Sequence, residues 1–170
     1  SECHLANLDL SHTDFTDAYM TRCNFERAIL RGASFRGAIL TGSIFDEADM
    51  TGANFERADM RGAVFHGTDM TRAALGAADL RQDFTQHSDK DVSWDEAPAC
   101  RFRGAKLAQT VFKDAKLVSV DFSGAYLLET DFSGADLRRS NFAAAELQAV
   151  RLTQAELENA DFSHASVDQA

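Results

Sequence analysis

Five histidines (His4, His12, His66, His87 and His164), three cysteines (Cys3, Cys23 and Cys100) and twenty-seven acidic side chains are the groups here that could ligate a metal, move a proton or attack a bond. Metal sites need such groups at short, regular spacings, and the histidines are scattered and fall into none with one another or with the cysteines. No order of Ser, His and Asp suggests a nucleophile with its base, and no glycine-rich phosphate loop is present. The polar residues also recur too regularly to mark one cleft. The sequence therefore predicts no catalytic residue, no metal and no cofactor, and a protein that binds rather than an enzyme.

The elements that would hold these residues follow from composition and from an internal repeat. At 170 residues, 45% hydrophobic and 26% charged, the chain has the make-up of one soluble globular domain able to bury a core. No apolar run approaches the roughly 20 residues of a membrane span, and no leader pattern opens the chain. It starts at Ser1 rather than Met, so a piece of a longer protein is expected. Three cysteines without close pairing suggest a reducing, cytoplasmic setting.

From Leu5 to Leu80 every fifth residue is Leu, Phe or Met, sixteen in succession, and from Phe102 to Val167 fourteen more centres follow, all Leu or Phe except Val167. Of the 32 Leu, Phe and Met residues only Leu8, Phe84 and Leu128 lie elsewhere. Two residues before each centre stands a small side chain, usually Ala, as at Ala28, Ala33 and Ala105; between the two comes most often Asp or Asn, as at Asp49, Asn54 and Asp121. A period of five turns an α-helix about 500° per unit and smears the centres around it, which excludes a helical bundle. On an extended segment the small residue and the centre both face inward and the Asp or Asn faces water. Nine of the ten glycines occupy the second position after a centre, where a tight turn needs positive φ. Each unit is one short side and one corner.

Phe alternates with Leu or Met at the centres, so the number of sides per coil is even. With four sides, coils repeat every 20 residues and like side chains stack, as in the column Phe102, Phe122, Phe142 and Phe162. The pattern resembles the pentapeptide-repeat family, and the resemblance covers all but Leu80 to Phe102. It implies an all-β right-handed quadrilateral parallel β-helix of about seven to eight coils, a solenoid about 36 Å long.

The expected organisation is one rod with a repeat block over 1–80, a loop insert over 81–101 and a second block over 102–170, the frame having slipped by a 17-residue insertion. The insert holds the only Trp and the only Pro, with turn-forming polar residues around them. As a projecting loop it offers Phe84, His87, Asp89, Asp91, Trp94, Asp95 and Glu96 as candidate partner contacts. Packing of Phe84 and Trp94 onto the rod wall is the open alternative. Apolar residues replace Asp or Asn at Ile29, Ile39, Ile44, Val64 and Val111, and Tyr does so at Tyr19 and Tyr126. With four sides Ile44 and Val64 are neighbours on one wall, a further candidate partner surface. A preference of β-branched side chains for stacked strands explains them equally.

Cys3 and Cys23 share the small inward position one coil apart, within disulfide reach, although buried thiols in place of Ala are the simpler expectation. The net charge of −10 comes largely from the position before the centre, with Asp9, Asp49 and Asp69 expected to form an acidic stripe that disfavours direct nucleic-acid binding. Both ends of the repeat leave strand edges free for end-to-end association of copies. These readings favour a non-catalytic scaffold that presents walls and loop to a protein partner. The resemblance implies a rival from another class, a DNA-mimicking modulator of DNA gyrase like the quinolone-resistance members of the family.

Overall fold

The computed structural model describes residues 3–82 and 99–168. Every described unit contributes one ladder residue, and parallel bridges join ladder residues twenty apart: His4 to Asn24, Asp9 to Ile29, Asp14 to Ser34 and Tyr19 to Ile39 open four walls. The chain is thus a four-sided β-helix. We number the walls from these four openings. Among the described residues no helix is long and apolar enough to cross a membrane.

Each corner is made by the residue two past the centre, which takes a positive φ. At nine positions that residue is glycine, as at Gly52 (φ 67°), but at nineteen others it is not, as at Arg57 (φ 59°) and Ala77 (φ 55°). The repeat therefore imposes left-handed backbone even where a Cβ makes it unfavourable by about 1–2 kcal/mol. What offsets this is the ladder. Around one such corner the Phe25 amide donates to Ile44 O (2.7 Å), the Arg27 amide to Asp46 O (2.9 Å) and the Ala28 amide back to Phe25 O (2.9 Å). The first corner amide has another acceptor, the Asp or Asn two residues earlier: Thr16 N–H donates to Asp14 (2.9 Å), Glu26 to Asn24 (2.8 Å) and Ser163 to Asp161 (2.8 Å). The Asp/Asn preference is therefore an Asx cap.

Inside, the centres stack at the coil spacing. Phe25, Phe45, Phe65, Phe102, Phe122, Phe142 and Phe162 form one column on the first wall, with ring centroids 4.6–5.1 Å apart. Phe35 and Phe55 stack likewise on the third wall, and Phe25 meets Phe35 across the lumen edge-on at 5.7 Å. Stacked along a wall and edge-to-face across it, the rings satisfy both favourable aromatic geometries. Polar residues at small positions are buried but bonded: Ser43 donates to Met20 O (2.9 Å), Thr110 to Met70 O (2.8 Å) and Thr130 to Leu107 O (2.7 Å).

The frame slip leaves the ladder intact. Val64 bridges Arg101, Asp69 bridges Lys106, Ala74 bridges Val111 and Asp79 bridges Lys116, all 37 apart, which is one coil plus seventeen residues. Phe65 stacks on Phe102 at 4.6 Å as though nothing intervened. Past the slip, the second wall lengthens into three parallel strands, β1 (Tyr126–Leu128), β2 (Glu146–Gln148) and β3 (Ser166–Asp168), paired in the order β1-β2-β3.

One expectation is corrected. Cys3 and Cys23 are disulfide-bonded rather than free, their Cα atoms 4.6 Å apart, because the fold sets two side chains in one small-residue column at a separation a disulfide spans. Cys100, three coils beyond Cys23 in the same column, after Ser43 and Ala63, is a buried free thiol.

Candidate partner-binding face

Four of the seven large apolar or aromatic departures from the Asp/Asn rule meet at one edge of the rod, while Ile29 and Tyr126 lie on the second wall and Val111 on the third. Tyr19 bridges Ile39 on the fourth wall, and Ile44 bridges Val64 on the first. Ile39 and Ile44 flank a single corner, Thr41–Gly42, where Gly42 at φ 66° carries no side chain. Tyr19 is 68% exposed and Ile44 39%, while Ile39 and Val64 are half-buried. None of the four can cap the following amide as Asp or Asn does, so the repeat gives up a local hydrogen bond at each. At Val64 a substitute is visible: the His66 amide donates to Asp46 of the preceding coil at 3.0 Å.

The same edge carries the insert. Arg81 follows the fourth-wall residues Asp79 and Leu80, and Arg101, the next ladder residue, lies directly on Val64 of the first wall. Ile44 and Val64 are therefore stacked under the point at which the chain rejoins the rod. The other sequence candidates, Phe84, His87, Asp89, Asp91, Trp94, Asp95 and Glu96, lie outside the described residues. Residues 83–98 contain five acids against one lysine.

The expected acidic stripe on the second wall is largely neutralised in place. Arg31 bonds Asp49 at 2.6 Å and the Lys106 ammonium stands 3.7 Å from Asp69. Asp9 accepts from the Ser11 hydroxyl and amide, which holds its carboxyl below the usual range. On the fourth wall Asp79 and Asp136 each accept a two-pronged arginine fork, from Arg81 and Arg138 two residues on. Partial burial would raise the Asp79 carboxyl, but the Arg81 bonds outweigh it and its pKa is lowered; at Asp136 the Arg138 bond is itself the dominant cause of the lowering. Over the described residues twenty-one acids face sixteen bases.

A second apolar feature was legible only as an outward tyrosine and an off-frame leucine. Because β1 stays extended past its centre, Tyr126 and Leu128 both face outward, and with Ala108 as a small floor they shape a shallow groove of about 380 Å³ bordered by Lys106 and Glu146. Among the described residues no three His, Cys, Asp or Glu side chains gather as a metal site. Cys100 is fully buried and donates to Met60 O; burial pushes its thiol far up, so it is no nucleophile.

A closed, side-chain-filled four-sided solenoid with bonded outer charges defines a class of repeat scaffold. Pentapeptide repeats match residues 1–37, 18–57, 43–82, 99–134, 115–154 and 140–170, and the chain belongs to that family, whose fold is the right-handed β-helix. No curated protein sequence matches it. Among solved structures it is similar to QnrB1, a plasmid-mediated fluoroquinolone resistance protein (18% identity, 99% of this chain and 92% of that one, TM-score 0.39). It is also similar to a pentapeptide repeat protein from the Arabidopsis thaliana thylakoid lumen (26% identity, 85% and 71%, TM-score 0.40) and to Rfr23 of the cyanobacterium Cyanothece 51142 (15%, 98% and 88%, TM-score 0.42).

Proposed function

We propose that the chain is a non-catalytic protein-binding scaffold whose partner docks on the edge shared by the fourth and first walls. The observation that carries this is the convergence of Tyr19, Ile39, Ile44 and Val64 on the edge that also bears the insert. Where Asp or Asn stands on the ladder it caps its corner; here four neighbouring ladder positions hold apolar or aromatic side chains instead, more than any other edge brings together. A mixed apolar and acidic surface of this kind suits a partner with an apolar anchor and basic flanks. Affinity capture with the intact chain, with Gln82–Pro98 deleted and with Ile44→Asp tests it. Both variants lose the partner captured by the intact chain; retention by both moves the site to another wall.

The second reading, gyrase modulation by DNA mimicry, draws on the net charge of −10. Mimicry of duplex DNA needs rows of uncompensated acids, and the rod's carboxylates are mostly paired. A supercoiling assay decides between the two. Gyrase is expected to work unchanged with the protein at stoichiometric amounts, and inhibition or protection from a quinolone would replace the scaffold reading.

A further inference from the structure

The groove beside β1 sits where the second wall turns into the third, at the corner diagonally opposite the edge of Tyr19 and Ile44. Two outward columns meet there. Lys106, Tyr126 and Glu146 follow one another on the ladder, and Thr71, Ala108, Leu128 and Gln148 run beside them just past the centres. In the second column Ala108 is a gap between Thr71 and Leu128, so the groove is a hole one side chain deep, walled by the Tyr126 ring and Leu128. The neighbours that could collapse into it are held elsewhere. The Lys106 ammonium stands 3.7 Å from Asp69, and Gln109 is fixed between Arg72, which donates to it at 2.9 Å, and Glu129, to which it donates at 2.8 Å. The hole is therefore pre-formed, and its volume of about 380 Å³ holds one large side chain and the stem of another.

The rod gains little from the residues that build it. Tyr126 is 49% exposed and Leu128 40%, and Tyr126 cannot accept a corner amide as Asp121 accepts that of Ser123 (3.0 Å). The rim is also unbalanced in charge. Lys106 is answered by Asp69, whereas among the described residues Glu146 has no ion-pair partner. The Gln148 side-chain amide bonds no other described group.

We propose that this groove docks an extended segment of a partner protein carrying an apolar side chain and, two residues away on the same face, an arginine or lysine. The apolar side chain fills the hole at Ala108 against Tyr126 and Leu128, and the cation crosses the Tyr126 ring to reach Glu146. Ala108 and Glu146 are two coil spacings apart, about 9–10 Å; two residues of extended chain advance about 7 Å, and the long basic side chain spans the rest. Gln148 is left to pair with the segment's main chain. An acidic segment would meet Glu129 and Glu146 and is repelled. Because this corner lies opposite the edge of Tyr19 and Ile44, the two sites can be filled together, and either stands without the other.

NMR of the methyl and amide groups of the full chain tests this, by titration with the blocked peptide acetyl-Gly-Leu-Ser-Arg-Gly-amide, with the same peptide bearing Glu in place of Arg, and with argininamide alone. The Arg peptide is expected to shift the Leu128 and Ala108 methyl signals saturably, and the Glu peptide to bind about fivefold more weakly, the reach of one exposed ion pair. Glu146→Gln should close that gap. Ala108→Leu places its side chain outward as Leu128 does in the same column, and should abolish binding by filling the hole while signal dispersion elsewhere is unchanged. Equal affinity for the two peptides would overturn the proposal, as would binding untouched by Ala108→Leu or the absence of any saturable shift at Leu128. Argininamide binding as tightly as the Arg peptide would mark a site for a free cation and overturn it too. Shifts centred on Ile44 would put the peptide on the opposite edge, which supports that edge and sinks the groove.

Discussion

The two repeat blocks on either side of the insert are alike inside and different outside. In both, small residues and large centres fill the lumen at one spacing, and the Phe65–Phe102 stack carries the column from one block to the next. Outside, the first block places Tyr19, Ile29, Ile39, Ile44 and Val64 on its ladder, whereas the second keeps mostly charged and amide residues there and widens one wall into β1–β3. An inward position that changes size disturbs the coils above and below, so the lumen is held constant. An outward position touches only water and its ladder neighbours. Differences between the blocks therefore report what each surface is for.

If the lumen is one continuous core, Phe45→Ala and Phe122→Ala, fully buried in different blocks, should each cost about 3–5 kcal/mol in urea unfolding. Both variants should keep a single transition. Two separated transitions would break the comparison, since the blocks would then be independent units joined at the insert. Corners come next in size. Adding a Cβ at Gly52 (φ 67°) or Gly124 (φ 63°), both with open space around them, costs roughly 1–2 kcal/mol through backbone strain alone. The reverse change, Ala77→Gly, should stabilise by less than about 1 kcal/mol because glycine's flexibility in the unfolded chain offsets part of the relief. Unequal costs at the two glycines would mean that the blocks strain their corners differently.

The outer surface yields a smaller and more telling effect. Asn24 and Asn141, in the same column as Ile44, each accept the amide two residues on, at 2.8 Å. Ile44→Asn offers the same cap to Asp46 and gives up the partial burial of a branched side chain. The two terms oppose, and thermal unfolding should show a change within about 1 kcal/mol of zero. A large loss of stability would show that Ile44 is there for the rod and remove it from the candidate face.

Most of this architecture was legible in the sequence because a period of five admits few structures: the centres, the corners and the seventeen-residue slip all read directly. Two features did not. The disulfide was underestimated because a free thiol fills the small inward position as well as Ala does, so their placement one coil apart allowed a bond between Cys3 and Cys23 without requiring it; the structure closes it with the Cα atoms 4.6 Å apart. The acidic stripe was overestimated because Arg31 and Lys106 stand outside the ladder register of Asp49 or beyond the insert from Asp69, and only the fold brings them into contact. Ile44 and Val64 were identified as a pair, but their position below the rejoining chain at Arg101 depends on the register across the insert. Leu128, one of three Leu, Phe or Met residues off the repeat, and the outward Tyr126 were the sequence traces of the groove beside β1.

The smallest expected effect concerns the arginine forks, which both blocks place on the fourth wall. Asp79 and Asp136 have pKa values lowered in the folded chain by Arg81 and Arg138. A carboxylate whose folded pKa lies below its unfolded one contributes stability above the unfolded value, near pH 4, and loses it as pH falls through the folded value. The forks are partly exposed, so each is worth no more than about 1 kcal/mol at neutral pH. Asp79→Asn and Asp136→Asn should each lower stability slightly at pH 7 and flatten its decline below about pH 4 by similar amounts. Lys106 and Lys116 project from the coil just past the insert toward Asp69 and Asp79, at 3.7 and 3.9 Å. If Asp79 responds more than Asp136, the extra response measures how far the coil above the insert supports the coil below it.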